Sequence, residues 1–161
     1  MNKILTLCLL LVFAAACEQR DDELDIQAAE VAIQQQIGKY KAALDAASVE
    51  LASQVWDTSP DVSFIYPGGH QHGWEEIKGV YTFFGSTFTD RRLTTRDVSV
   101  HVLGDAAWAE FYWHFTAKVS SSGTPMESDG RETQVYRKNG DRWMLMHVHY
   151  SGPAMTFAQV Q

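Results

Sequence analysis

Cysteine is nearly absent from this chain of 161 residues, occurring only as Cys8 and Cys17. We expect Cys8 to leave with an N-terminal signal, so the mature chain has no second thiol for a disulfide. Lysine and arginine form no cluster and the formal net charge is -7, which argues against nucleic acid as a partner. The sequence also lacks a Gly-x-Ser-x-Gly elbow and a glycine-rich phosphate loop. It therefore gives no support to a serine hydrolase or a nucleotide-binding protein.

The N-terminal apolar run, residues 4–16, is shorter than the roughly 20 residues that a membrane-spanning helix needs. It follows Lys3 and ends in three alanines before Cys17, which indicates an export signal over 1–16. The Ala-Ala-Ala-Cys end resembles a bacterial lipoprotein signal, and this resemblance implies lipid attachment at Cys17. By the same resemblance, Glu18 implies an outer-membrane lipoprotein that faces the periplasm. A soluble secreted protein cut after Ala16 is the alternative.

Beyond a charged tether over 17–24, the composition fits one globular domain, which we place at 25–157. Apolar residues recur every three or four positions from Asp25 to Leu44 and predict a long first helix. A shorter helix is predicted over 46–56, a strand over 62–66 and a third helix from Gly73 to Phe84. The glycine-rich segment between that strand and that helix, which carries His70 and His72, is interpreted as a loop.

After Asp90 the apolar pattern changes to a period of two, which is typical of strands. Within 107–117, both alternating sets of residues carry aromatic rings. We therefore expect one face of this strand to pack under the helices and the other to contact a second subunit. Helices followed by a strand meander predict an α+β domain in which three helices cover one face of a curved antiparallel sheet.

Asn139-Gly140 is a strong hairpin signal, because both residues accept a positive φ. If these two residues form the turn, Glu132 lies opposite His147 in the predicted hairpin. Such a pair could act as an acid/base couple or could simply hold the strand register. A longer turn with a bulge would shift every pairing by one residue, so both registers stay open.

This order of elements resembles the nuclear-transport-factor-2-like superfamily, also called SnoaL-like or ketosteroid-isomerase-like, over residues 25–155. The closing motif, Glu132-Thr133-x-Val135-Tyr136 with Trp143-x-x-x-His147-x-His149-x-Ser151-Gly152, resembles the association domain of calcium/calmodulin-dependent protein kinase II. His101, ahead of a Gly-Asp turn, fits the same resemblance. The fold that it implies is a cone with a pocket under the helices.

The resemblance also marks departures. Arginines that line the kinase association-domain pocket correspond to His114, Gln134 and Tyr150 here, so a carboxylate-binding pocket is not expected. Tyr40 matches the tyrosine of ketosteroid isomerase, but its catalytic base corresponds to Tyr66 and its second acid to Gln134. That enzyme's mechanism is therefore not expected to operate unchanged.

We predict a pocket for a small hydrophobic or aromatic molecule, in an oligomer of two or more copies that meets the membrane only through its lipid anchor. Non-catalytic binding is the first hypothesis; an isomerase, cyclase or hydratase with a histidine acid/base in the pocket, and a purely structural oligomerisation module, are the alternatives. The pairs His70/His72 and His147/His149 could hold a metal, yet we predict neither a metal nor a cofactor. The candidate pocket residues are Tyr40, Tyr66, His101, Tyr112, His114, Glu132, Gln134 and Tyr150.

Overall fold

The structure is a computed structural model that describes the backbone of residues 2–152 and the side chains of residue 23 and residues 25–152. Cys17 and the predicted signal peptide lie outside the described side chains. Within the described part of the chain, no helix has the length and apolar character to cross a membrane. The elements are α1 (Asn2–Ala46), α2 (Val49–Ser53), β1 (Ser63–Tyr66), β2 (Gly69–His72), α3 (Gly73–Thr87), β3 (Phe88–Leu103), β4 (Ala106–Val119), β5 (Pro125–Asn139) and β6 (Arg142–Ser151).

The strands form one curved sheet in the order β2-β1-β6-β5-β4-β3. The helices pack against it, with α1 contacting β3 and β6 and α3 contacting β1 and β3. The predicted α+β cone is therefore confirmed. The sheet is mixed rather than wholly antiparallel, because β1 runs parallel to β6 while the other neighbouring pairs are antiparallel.

Helix α1 begins well before the predicted Asp25, so the predicted signal and tether fall in its first part. Its apolar stripe is confirmed from Ala29 onward, whereas Ile26 is exposed. The helix ends where Ala47 adopts a φ of 51°, and Ser48 then caps α2 by accepting a hydrogen bond from the Leu51 amide at 3.2 Å. Two separate helices result, with the second shorter than the predicted 46–56.

The glycine-rich segment before α3 is a strand rather than the loop that we predicted. His70 and Gln71 pair with Ile65 and Phe64 of β1, so this segment forms the edge of the sheet. The turn at 67–68 brings this segment alongside β1. Its residues have little β propensity, so the strand depends on backbone pairing with β1.

Strand β3 is longer than the predicted pattern and is bent twice. Asp90 and Asp97 adopt φ angles of 52° and 54°, and each coincides with a register shift against β4. Such bulges add twist and curvature to a sheet. The curvature opens the space that the helices cover.

Strand β4 confirms the predicted alternation on its inner side. Its inward residues are all buried, while Trp108, Tyr112 and His114 on the other face are exposed. The two faces of the same strand therefore lie in different surroundings. The inward set is Ala107, Ala109, Phe111, Trp113, Phe115 and Ala117.

Candidate functional site

A cavity of about 380 Å³ lies between the helices and the inner face of the sheet. Among the described residues, neither lysine, arginine nor histidine lines it, and its polar side chains are few. Aromatic rings make up much of the wall. They are Tyr40, Phe64, Phe83, Phe84, Phe88, Trp113, Phe115 and Tyr150.

Trp113 forms one wall of the cavity because the neighbouring strand leaves room for its indole. The partner of Trp113 on β5 is Gly130, where an added Cβ would come within 2.8 Å of the indole and 1.9 Å of the Ser151 carbonyl oxygen. The indole nitrogen donates a hydrogen bond to the Arg131 carbonyl oxygen at 3.3 Å. The ring meets Tyr150 edge-on, with centroids 5.5 Å apart.

Glu132 lines the same cavity from β5 and is only 4% exposed. The Gln134 side-chain amide donates to its Oε1 at 2.7 Å, and the Tyr136 hydroxyl donates to the Gln134 amide oxygen. The Tyr40 hydroxyl of α1 lies close to the carboxyl group and favours its ionised form. Glu132 is thus held by neutral donors in a largely apolar surrounding.

Burial raises the pKa of Glu132 from its ordinary 4.5 to about 7, although the hydrogen bond from Gln134 and the nearby Tyr40 hydroxyl oppose the shift. Burial, together with the nearby carboxylate, raises the pKa of Tyr40 well above its usual value. The tyrosine therefore remains a neutral hydroxyl. The carboxyl group can hold or release a proton near neutral pH.

Five of the eight predicted pocket residues come together here. Tyr40, Glu132 and Tyr150 line the cavity, and Gln134 lies directly behind Glu132. Tyr66 is outside the lining but stacks on Tyr150, with ring centroids 6.2 Å apart.

The other three, His101, Tyr112 and His114, lie on the outer face of the sheet, so their assignment to the pocket was wrong. His114 and Tyr112 alternate with the buried residues of β4. Because both faces of this strand carry aromatic rings, its sequence does not show which set of residues lies inside. His101 stacks on Trp108 at 4.8 Å, and Tyr112 lies under the Arg96 guanidinium at 4.1 Å.

The predicted Glu132 and His147 couple was also wrong. Asn139 pairs with Arg142, so the turn is Gly140-Asp141, with Gly140 at a φ of 59°. A further register shift follows between Val135 and Tyr136. The two displacements place Glu132 opposite Tyr150.

His147 instead pairs with Val135 and faces outward. Its Nδ1 lies 2.7 Å from the Ser63 hydroxyl. Partial burial, with help from His149 and His70, lowers the pKa of His147. Neither His114 nor His147 reaches the cavity. The structure therefore offers neither of these two histidines as the acid/base that the sequence suggested.

The four candidate metal-ligating histidines remain two pairs. The rings of His70 and His72 are 3.7 Å apart and those of His147 and His149 are 6.5 Å apart. Across the described side chains, no three histidine, cysteine or acidic groups are arranged to hold a metal ion.

Sequence reasoning missed several cavity residues. The helical spacing of Trp74, Ile77 and Phe84 predicts that Phe84 belongs to the core, whereas Phe88, Met126 and Ser128 are not singled out by the sequence. The spacing of Phe84 correctly identified the inward side of α3, but it could not show that this side borders open space.

The SnoaL-like domain model matches residues 33–155, most of the chain. The chain belongs to the SnoaL-like family. Its matched region falls within the predicted domain of 25–157 and contains the entire cavity lining.

This SnoaL-like chain is similar to a nuclear transport factor 2-like superfamily protein from Salmonella enterica serovar Typhimurium. The two share 41% identity over 81% of this chain and 95% of the other, with a TM-score of 0.79. That relationship agrees with the superfamily that the sequence indicated.

Two more distant structures share the fold of this SnoaL-like chain. A candidate dehydratase of the same superfamily from Streptomyces avermitilis is 20% identical over 80% of this chain and 99% of its own, with a TM-score of 0.72. A candidate calcium/calmodulin-dependent protein kinase II association domain from Xanthomonas campestris is 19% identical over 77% and 87%, with a TM-score of 0.66.

Proposed function

We propose that this domain binds a small, largely apolar, ring-bearing molecule in the cavity, and that binding rather than catalysis is its function. The observation that carries the proposal is an open, aromatic-walled space of about 380 Å³ with a single carboxyl group among its described lining residues. Ligand sites are typically concave and apolar, with a few polar groups that orient the ligand. The space also disfavours the purely structural alternative, which expects a filled interior.

The polar end of the cavity would orient the ligand. Glu132 and Tyr40 place a carboxyl group and a hydroxyl group side by side, while rings such as Phe64 and Trp113 provide the apolar walls. A ligand would gain free energy from burying its own apolar surface and would lose it if its polar group faced the rings.

Filling the cavity tests this function. Ser128→Trp would place an indole at the cavity wall, and Ser99→Trp would add the same group on the outer face as a control. We expect the first variant to lose binding of an environment-sensitive naphthalene dye and the second to retain it, measured by fluorescence titration. Equal binding by both variants would contradict a site in this cavity.

A second candidate is acid/base catalysis by Glu132, in place of the histidine proposed from the sequence. The raised pKa of this carboxyl supports it, because a general acid or base works best near the operating pH. A fold relative named as a candidate dehydratase makes dehydration the reaction to screen first.

A pH-rate profile separates this candidate from binding alone. Turnover should change along a limb near pH 7 and should be lost in Glu132→Gln, while Glu110→Gln on the outer face should behave as wild type. Absence of turnover across the screen, in protein that binds the dye, would favour the non-catalytic function.

We also propose the lipid anchor and the outer-membrane location. The support is the alanine-rich end of the predicted signal over 1–16, which directly precedes Cys17. Labelled palmitate should be incorporated into the wild-type protein during expression, and Cys17→Ala should abolish the label. Labelling of the variant would contradict an anchor at this cysteine.

Assembly into a dimer or larger oligomer through the outer face is a further proposal. Trp108 and Leu103 are 41% and 72% exposed there, and Tyr112 on the same face is 36% exposed. Sedimentation at micromolar concentration should show more than a monomer. We expect Trp108→Glu to weaken the association, and a wild-type monomer would contradict it.

A further inference from the structure

Glu132 is a buried acid, and no buried base accompanies it among the described residues. The side chains around it are Tyr40 from α1, Tyr81 from α3, Gln134 and Tyr136 from β5, and Tyr150 from β6. The titratable groups among them are all tyrosines, whose pKa values are raised by burial, so they are neutral. Within the described lining of the cavity no cationic side chain is present to pair with the carboxylate.

We propose that the ligand of this cavity is an organic amine, an aromatic or alicyclic ring that carries a protonated nitrogen, with the nitrogen against Glu132 and the ring among the aromatic walls. This inference rests on the proposed binding function and names its ligand class.

The charge balance of the cavity favours a cation. An ionised carboxylate that is buried without a partner is costly, and removing the partner of a buried ion pair is strongly destabilising. An ammonium group on the ligand would supply the missing charge directly. A carboxylate ligand would add a second negative charge and would be rejected.

The walls favour the same ligand class. Trp113, Tyr150 and Phe64 lie together, with Tyr150 in edge contact with Phe64 at 5.7 Å and with Trp113 at 5.5 Å between centroids. Rings of this kind attract cations over their faces as well as burying apolar surface. An amine with a ring can use both interactions, whereas a neutral ring can use only burial.

Three matched compounds test the inference with the full chain by isothermal titration calorimetry: 2-naphthylmethylamine, 2-naphthalenemethanol and 2-naphthoate. Near pH 8 we expect the amine to bind at least about tenfold more tightly than the alcohol, and the naphthoate to bind most weakly. Lowering the pH to about 5.5 should weaken amine binding by about tenfold or more, because Glu132 takes up a proton while the amine stays charged. Alcohol binding should stay nearly constant.

Two variants locate the effect. Glu132→Gln should remove both the preference for the amine and its pH dependence, while still binding the alcohol, which shows that the cavity has formed. Glu110→Gln removes the same charge from the outer face and should leave all three affinities unchanged.

The outcomes separate the two proposals. Equal affinity for amine and alcohol, or a preference for the amine that survives in Glu132→Gln, would overturn the amine inference and leave the cavity as a binding site. Failure of both the amine and the alcohol to bind the wild-type protein would overturn the inference together with the binding function.

Discussion

The inner and outer faces of the sheet are both rich in aromatic rings, but the rings on each face contact different kinds of side chain. On the inner face, Trp113 is 8% exposed and lies among other rings and one acid. On the outer face, Tyr112 lies between the guanidinium groups of Arg96 and Arg131, and Trp108 stacks on His101. Polar partners keep the outer rings compatible with water, whereas the inner rings need either packing or a ligand.

This difference teaches that an aromatic count along a strand does not locate a pocket. The charged groups alongside the rings do so better. Among the described residues that line the cavity, the single acid has no cation beside it. On the outer face Glu110 lies 3.8 Å from His101, and both side chains are exposed to solvent. On the outer face the polar groups contact one another and solvent, whereas the acid of the cavity wall is buried with no cation beside it among the described lining residues.

The largest expected effect is on the free energy of unfolding, and it compares how tightly the rings of the two faces are packed. Trp113→Ala should lower the free energy of unfolding by about 3–5 kcal/mol, because it removes a buried indole. Trp108→Ala should cost about 1 kcal/mol or less in the monomer, because its side chain is 41% exposed and lies on the outer face. Urea denaturation of both variants measures the difference. Similar losses would show that the outer ring is as well packed as the inner one.

The next effect concerns charge and pH. The pKa of Glu132 is raised in the folded state, so its contribution to stability is complete below about pH 4.5 and is lost as the pH rises through about 7. Relative to wild type, Glu132→Gln should therefore gain up to roughly 3 kcal/mol between pH 5 and pH 8.

Urea denaturation at both pH values checks this gain, with Glu110→Gln as the control that should show little change. A Glu132→Gln variant that tracks the wild type at both pH values would mean that the carboxyl group is not destabilised by burial. The contrast between a solitary inner acid and a paired outer acid would then be lost.

A smaller loss is expected where a missing side chain shapes the inner wall. Gly130→Ala would force its Cβ against the Ser151 carbonyl oxygen and the Trp113 indole, so we expect a loss of about 1–3 kcal/mol in unfolding free energy. Gly79→Ala, on the exposed side of α3 with open space around its Cβ, should gain up to about 1 kcal/mol. Tolerance of Gly130→Ala, with unchanged indole fluorescence, would argue against this account of the wall.

The smallest expected effect on stability concerns the side chains that contact the outer rings. Arg96→Gln removes the cation over Tyr112 and should cost less than about 1 kcal/mol, because the pair is exposed. The same variant should leave dye binding unchanged, since Arg96 lies across the sheet from the cavity. Thermal denaturation and fluorescence titration measure the two quantities, and a loss of binding would show that the faces are coupled.

Much of the fold could be predicted because its strongest signals are periodic. The stripe through Ile33, Ile37 and Tyr40 and the alternation in β4 both report burial through spacing alone. Strand β2 could not be predicted, because its glycine and histidine residues have little preference for a strand and depend on pairing with β1. The bends at Asp90 and Asp97 also arise from backbone conformations that the residue types permit but do not require.

The site was harder to predict than the fold. Tyr40, Glu132 and Tyr150 were identified through resemblance, but His114 was placed inside when it lies outside. A site built around His114 is therefore excluded. The unusual pKa of Glu132 depends on what surrounds it in three dimensions, and no spacing along the chain reports that.

The register shift at Val135 decides which residues of the last strand face the inner side of the sheet. One extra residue in β6 before His147 places Val148 and Tyr150 on the inner side of the sheet and His147 and His149 on the outer side. Had that extra residue fallen after position 150, the same amino acids would give an interior with an acid beside two histidines. In this fold, moving the extra residue to another position along the strand is therefore enough to place imidazoles beside the buried acid, with no change in composition.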